Sequence, residues 1–195
     1  AKGHDFPSIT LVGVVCADLS MNLPDFRAGE RTFQLLAQVA GRAGRGETSG
    51  KVIMQTYTPD HFIIEASKNQ DFLEFFQNEI PFRKALMYPP FSRMIQLKIS
   101  GIHPEKVQAF AHATAERLTV LLDRDSDDLA HPVQIMGPIE AGITRIAARF
   151  RWQILLKSPS SRRLNQLVTA LVNDPSAAAP TGISLVVDVD PYSLM

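Results

Sequence analysis

The feature that most constrains the fold is an order of patterns in the second half of the chain. Ile95, Leu97 and Ile99 alternate with Gln96, Lys98 and Ser100, the period of a half-buried strand. Pro104 opens a helix with Val107, Phe110, Ala111, Leu118, Leu121 and Leu122 on its apolar side. After the acidic loop DRDSDDLAH, residues 133–136 form a short strand. Residues 149–157 form a longer one, with Phe150, Trp152, Ile154 and Leu156 on one face. Ser160 begins a second helix carrying Leu164, Leu167, Val168, Leu171 and Val172, and residues 183–189 make a last strand. Strand, helix, strand, strand, helix, strand is the split βαβ order of ferredoxin-like domains, with both helices on one sheet face. That architecture hosts many functions and implies none alone.

The first half reads differently. Residues 10–17, TLVGVVCA, are apolar almost without break, as in a strand covered on both faces. Asp18 follows at its C-terminal end. Residues 25–38 read as a helix, with Asp25 able to cap its start. GRAGRGETSG, with four glycines in ten residues, ends it. Residues 51–57 are a second strand and 61–80 a helix. Residues 81–93 hold Pro81, Pro89 and Pro90 and form a boundary. The expected division is 1–60, then a helical and proline-containing connector at 61–92, then an α/β domain at 93–195. A strand of central character at 10–17 must lean on another surface, since an exposed central strand leaves backbone groups unpaired.

Composition removes several classes of function. The 195 residues carry 20 Lys plus Arg against 20 Asp plus Glu, so no global field attracts nucleic acid. Any such contact must come from a local patch. One cysteine, Cys16, permits no internal disulfide and no cysteine-rich zinc site; it reads as a buried strand thiol. The five histidines show no metal-ligand spacing. No stretch is long and apolar enough to cross a bilayer. There is no credible nucleophile–base pair and no GxxxxGK[ST] phosphate loop, so an autonomous enzyme is a weak reading.

Two segments carry chemistry. In QVAGRAGRG, residues 38–46, Arg42 and Arg45 are three apart and share a face if helical. Two guanidiniums beside small residues suit a polyphosphate at a cleft. A glycine-rich helix end with two solvated arginines is the equal alternative. The second segment, residues 141–173, holds Arg145, Arg149, Arg151, Lys157, Arg162 and Arg163 with no Asp or Glu. Such a patch can bind phosphate backbone, or be only a solvated face. Trp152 falls among the core positions rather than on a base-stacking platform.

QVAGRAGRG resembles the sixth motif of superfamily 2 helicases, and AKGHDFPSITLVGVVCAD the region around their fifth. With DFRAGERTFQLLAQVAGRAGRG, GKVIMQT, YPPFSR, RFRWQILLKSPS and VVDVDP, the chain closely resembles the C-terminal part of the primosomal protein N′ family of replication restart helicases. The resemblance implies a partial RecA-like helicase lobe 2. It further implies that the following split βαβ domain resembles a ribosomal small-subunit protein. Arg45 then looks like the arginine finger, with Arg42 and Gln38 beside the nucleotide. Gly3 and Asp5 match the nucleotide side of the fifth motif, and Lys2 and His4 its DNA side. Arg145, Arg149 and Arg151 are implied to engage branched DNA. Arg162, Arg163 and Asn165 fall near a pocket for the acidic tail of single-stranded DNA-binding protein. The family's basic pocket position falls at Ser161, a departure from the pattern.

For the whole protein the resemblance implies an ATP-dependent 3′ to 5′ DNA helicase with ATP and Mg²⁺. Zinc is also implied, though its ligands are absent here. The phosphate loop and magnesium carboxylates are missing, so the chain alone is expected to be inactive and to hold no metal. Implied partners are forked or branched DNA, single-stranded DNA-binding protein and other primosome proteins, with no membrane. The implied setting is the bacterial cytoplasm, at the nucleoid. The chain also lacks an initiator methionine, as a trimmed fragment would. A competing reading is an RNA- or ribosome-associated binding module without motor role. The arginine motif separates the two, since such a module has no use for it.

Overall fold

The computed structural model describes residues 10–41, 50–124 and 131–195. The chain divides into two compact units, Ala1–Phe82 and Arg83–Met195.

In the first unit, β1 (Leu11–Val14) pairs in parallel with β2 (Lys51–Met54), Leu11 beside Lys51 and Val14 beside Met54. Between them lie a 3-10 turn (Ala17–Ser20) and α1 (Ala28–Ala40). β1 stops short of the expected strand end. Cys16 lies beyond it with φ 52°, half-buried, rather than as a buried strand thiol. Asp25 is buried, but it acts before the helix. Its carboxylate accepts from the Arg27 amide at 2.9 Å and pairs with Arg31 at 2.9 Å. Ala28, Thr32, Phe33 and Leu36 recur at helical spacing and turn inward. Leu36 packs with Ala17 and Ile64, and Phe33 with Ile63, Ala66 and Phe75.

The helix expected over 61–80 is two helices, α2 (Phe62–Asn69) and α3 (Phe72–Ala85). Gln70 takes the left-handed conformation at φ 54° and closes α2 through bonds to the Ala66 and Ser67 carbonyls. Asp71 then starts α3 by accepting from the Glu74 amide at 2.9 Å.

The second unit contains β3 (Arg93–Gly101), α4 (Pro104–Arg124), β4 (Gln134–Ile146), β5 (Arg149–Ser158), α5 (Ser161–Val172) and β6 (Ile183–Val189). The sheet order is β4-β5-β3-β6 with every neighbouring pair antiparallel. β5 therefore sits between β3 and β4, which the α4 crossover joins. This is the split βαβ arrangement within a mixed α/β fold. Ile95, Leu97 and Ile99 of β3 and Ile154 and Leu156 of β5 share one core with Val107, Ala111 and Leu118 of α4 and Leu164, Leu167, Val168 and Leu171 of α5. Both helices thus cover one face. Each Val, Leu or Ile in this core contributes about 1.5–3 kcal/mol by leaving water. Trp152 packs against the same core, 5.5 Å from the His112 ring.

β4 is much longer than the four residues expected. Its register against β5 breaks twice, between Met136 and Ile139 and between Glu140 and Arg145. Gly137 permits the first break: its φ is +98°, and a Cβ there would lie 2.9 Å from the Gln153 carbonyl oxygen. Ala147 and Ala148 join β4 to β5, both with positive φ, 47° and 63°. That is the two-residue hairpin geometry that glycine and asparagine usually supply.

Candidate functional site: a carboxylate clamp, a basic sheet face and a polar helix face

In the first unit, Asp18 lies just past the C-terminal end of β1. Its carboxylate accepts from Thr56 Oγ1 at 2.6 Å, Thr58 Oγ1 at 2.7 Å and the Tyr57 amide at 3.0 Å. The Thr56 and Thr58 hydroxyls hold its carboxyl down at about 2, well below the usual carboxylate range. Asp18 therefore ties the end of β1 to the segment leaving β2. A backbone bond from Ala17 to the Gln55 carbonyl, 3.0 Å, makes the same tie. The C-terminal ends of parallel strands are where ligands bind in open α/β sheets, and the clamp fixes the loop there. Gln38 is exposed on the last turn of α1. Lys2, Gly3, His4, Asp5, Arg42 and Arg45 lie outside the described residues.

In the second unit, pairing decides where the arginines go. Arg151 stands opposite Ser100, and Phe150 opposite Gly101. Phe150 and Trp152 turn to the helix side, so Arg149 and Arg151 occupy the other face. Arg149 donates from Nη2 to the Ser100 carbonyl at 2.9 Å and from Nε to Ser100 Oγ at 3.3 Å. Arg151 donates from Nη1 to the Ile143 carbonyl at 3.2 Å. Arg145 pairs with Phe150 in register, and its guanidinium lies over that ring, 5.1 Å from the centroid. It is on the helix side, so the three arginines do not share one face.

The neighbours Arg162 and Arg163 also part. Arg163 is buried, and its Nη1 donates to the His131 carbonyl at 3.1 Å. Arg162 is exposed on α5. With Ser161, Asn165, Gln166, Thr169, Ala170 and Asn173 it lines a shallow depression of about 690 Å³. Those residues form one helix face, so Arg162 and Asn165 come together there and Arg163 does not.

Lys157 escaped the sequence reading as anything but one more charge. It is nearly enclosed, donates from Nζ to the Leu86 carbonyl at 2.9 Å, and lies 4.5 Å from the Tyr88 ring centroid. Burial lowers its pKa from the ordinary lysine value. Its place at the end of an alternating strand, with a tyrosine connector elsewhere in sequence, gave no signal of this contact. Among the described residues no group of three His, Cys, Asp or Glu side chains is placed to hold a metal ion. No described helix is long and apolar enough to cross a membrane.

Residues 84–192 match the family described as "Primosomal protein N C-terminal domain". The similarity extends beyond that domain. The chain is 42% identical over 193 residues to "Replication restart protein PriA" of Synechocystis, covering 99% of this chain and 22% of that protein. It is 38% identical over 196 residues to the protein of that name from Bacillus subtilis, covering 100% of this chain and 24% of the relative. The Treponema pallidum protein is 36% identical over 195 residues, with 100% and 28% covered. The chain thus spans about a quarter of the length of these relatives. A hydantoinase/carbamoylase family amidase from Burkholderia ambifaria aligns over 52% of this chain and 28% of its own, at TM-score 0.36 and 16% identity, too slight a likeness to carry an argument. The match over residues 84–192 and the identity to these relatives along the whole chain lead to one assignment: the chain belongs to the primosomal protein N family and carries its C-terminal domain.

Proposed function

We propose that this chain is the C-terminal part of an ATP-dependent 3′ to 5′ DNA helicase that restarts replication at stalled forks. The observation that carries the reading is similarity to replication restart proteins along the whole chain, arginine motif included, and not only over the C-terminal domain. In this reading the first unit is part of a RecA-like lobe 2. Its parallel strands and the Asp18 clamp at their C-terminal ends support that. The second unit is a ribosomal small-subunit-like domain.

Gln38, Arg42 and Arg45 face the phosphates of ATP bound mainly by the part of the protein preceding this chain. Their amide and guanidinium donors suit that ligand, and Gln38 is open to it. Gly3 and Asp5 link nucleotide state to the DNA side at Lys2 and His4. Magnesium and zinc belong to the preceding part. Arg145, Arg149 and Arg151 engage branched DNA. Arg162 and Asn165 line the depression on α5 that suits the acidic tail of single-stranded DNA-binding protein, with Arg163 supporting from beneath. Other primosome proteins assemble on the whole protein in the bacterial cytoplasm.

The test is ATP turnover by the full-length protein on forked DNA. Arg45→Ala is expected to cut turnover by about 10³-fold while ATP still binds, because a finger stabilises charge that develops in phosphoryl transfer. Unchanged turnover in that variant removes the assigned role. Turnover by the 195-residue chain alone would overturn the division of the ATP site.

A further inference from the structure

The first unit leaves two apolar surfaces uncovered. One is a sheet face. Val14 and Met54 pack against the cluster of Ala17, Leu36 and Ile64. Leu11 and Ile53, on the opposite face by alternation, stand more than half exposed. The other surface is a strip on α3. Phe75 marks the side of α3 that the unit covers: it is buried, stacked 4.5 Å from the Phe33 ring and 6.1 Å from the Phe62 ring. At roughly 100° per residue, Phe72, Phe76, Ile80 and Leu73 follow Phe75 round the helix within about 160°. They continue its apolar face, but the unit does not cover them. Phe72 is 64% exposed, Leu73 61% and Phe76 44%. The Phe72 and Phe76 rings lie 6.2 Å apart, so the strip is continuous. Glu79 falls inside the arc but turns toward α1, where a Cβ on Gly29 would lie 3.3 Å from its Oε2.

We infer that the strip of Phe72, Leu73 and Phe76 is an intramolecular docking surface, seated against an apolar surface of the polypeptide that precedes this chain in the full-length protein. The inference rests on the proposed reading of the chain as the C-terminal part of a longer protein, and goes beyond it by assigning where the two parts meet.

Three observations select this occupant. First, the chain covers 22%, 24% and 28% of the three relatives, and its matched domain is the C-terminal one, so most of their length lies ahead of it. A tethered surface meets the strip at an effective concentration of about millimolar, which a separate copy does not reach. Second, the strip is small. Its three side chains expose on the order of 300 Å², where a stable dimer buries about 800 Å² per partner. That area cannot hold a second copy by itself, but it suffices as part of a contact between tethered parts. Third, the same unit carries the uncovered sheet face of Leu11 and Ile53. Parallel strands are ordinarily covered on both faces, so this unit is one whose coverings lie elsewhere in the polypeptide. The strip itself presents rings and an aliphatic side chain, and the surface that fits it is apolar.

The test is thiol labelling read by peptide-resolved mass spectrometry, on Phe76→Cys in the 195-residue chain and in the full-length protein. Labelling there is expected to slow about tenfold or more in the full-length protein, because a covered thiol reacts only through local opening, while Gln77→Cys on the exposed polar side should stay within about twofold. Leu73→Cys repeats the measurement at a position 61% exposed, and carries the test if Phe76→Cys does not fold. Adding Leu73→Asp to Phe76→Cys puts a carboxylate into the apolar contact and should restore the fast rate. Equal rates in the chain and in a full-length protein that turns over ATP on forked DNA would overturn the docking surface and leave the reading above intact. Slow labelling already in the 195-residue chain would overturn it too. A rate that falls as the chain is concentrated would mean that a second copy covers the strip, and a rate independent of concentration that the chain covers itself. Equal slowing at positions 76 and 77 would mean a helix enclosed on all sides, with no docking face.

Discussion

The two units solve the problem of covering a sheet to different extents. Among its described residues the second has four strands and lays two helices on one face, which buries twelve residues in one continuous cluster. Among its described residues the first has two parallel strands and two small clusters of four and three residues. Parallel sheets are ordinarily covered on both faces, and two strands alone are marginal. Leu11, Val15, Leu19 and Ile53 accordingly stand more than half exposed. Stability in the second unit comes from apolar area. The first unit relies more on point contacts such as the Asp18 clamp and the Asp25–Arg31 pair. Sites in the two units should therefore respond to different perturbations.

The largest expected effect is in the second core. Leu156 is fully buried between both helices and the sheet, and Leu156→Ala should cost about 2–5 kcal/mol. Val15→Ser, at a position 74% exposed in the first unit, should fall within about 0.5 kcal/mol. Trp152 is the one tryptophan of the chain and lies in the second unit, so its fluorescence in a denaturant titration reports that unit alone. A Leu156→Ala midpoint equal to wild type would break the comparison.

The same contrast governs what the sequence could reveal. β3, α4, β5, α5 and β6 were legible because each buries one face against a finished core, which imposes a period of two or 3.6 on the residues. β4 was legible only at its start. Gly137-Pro138 and the bulges destroy its alternation, and Ala147-Ala148 carries no turn chemistry although both residues have positive φ. Gln70 hid the break between α2 and α3 for the same reason. At the sites, charge was legible and direction only in part: the alternation of β5 sets Arg149 and Arg151 opposite Phe150 and Trp152, as the register has them, but says nothing of Arg145 on β4. The cluster Arg145, Arg149 and Arg151 reads as one patch. Pairing of β4 with β5 puts Arg145 on the side of Phe150 and the other two on the side of Ser100. Likewise Arg162 and Arg163 are adjacent in sequence, yet one is exposed and one buried. Arg149's partners are a carbonyl and a hydroxyl on another strand, which no local pattern announces.

A smaller effect should appear at Asp18. Its folded carboxyl titrates at about 2 against an ordinary 3.8, so the folded unit binds fewer protons than the unfolded chain between those values. The stabilisation is complete above the unfolded value and is lost as pH falls through about 2. Asp18→Asn should therefore loosen the first unit at neutral pH, and the gap to wild type should close in strong acid. Amide exchange at Tyr57, whose N–H donates to Asp18, reads this directly. Faster Tyr57 exchange in the variant, with unchanged exchange in β3, places the effect in the clamp. Slowed or equal exchange would mean that the point contact is dispensable, and the contrast between the units would lose its first half.

The smallest expected effect sharpens the second half. Lys157 is a charge within the apolar-dominated unit, and burial lowers its pKa from 10.5. The unfolded chain holds that proton to higher pH than the folded one. Stability therefore rises with pH from the lowered folded value up to 10.5, where the unfolded lysine also loses its proton. At neutral pH the enclosed ammonium is a net electrostatic cost, partly offset by the Leu86 carbonyl and the Tyr88 ring. Lys157→Met keeps the stem volume and removes the charge. It should flatten the pH dependence of the Trp152 unfolding midpoint in the alkaline range, while the variant stays folded at neutral pH. Other groups titrate in that range in both proteins, so the difference between the two curves is the quantity to read. If the curves run parallel, the charge of Lys157 is not linked to folding, and its bond to Leu86 is no more than a surface contact. If they converge as pH rises, the charge is held in place against its own solvation, and the connector at Leu86 and Tyr88 is what it holds.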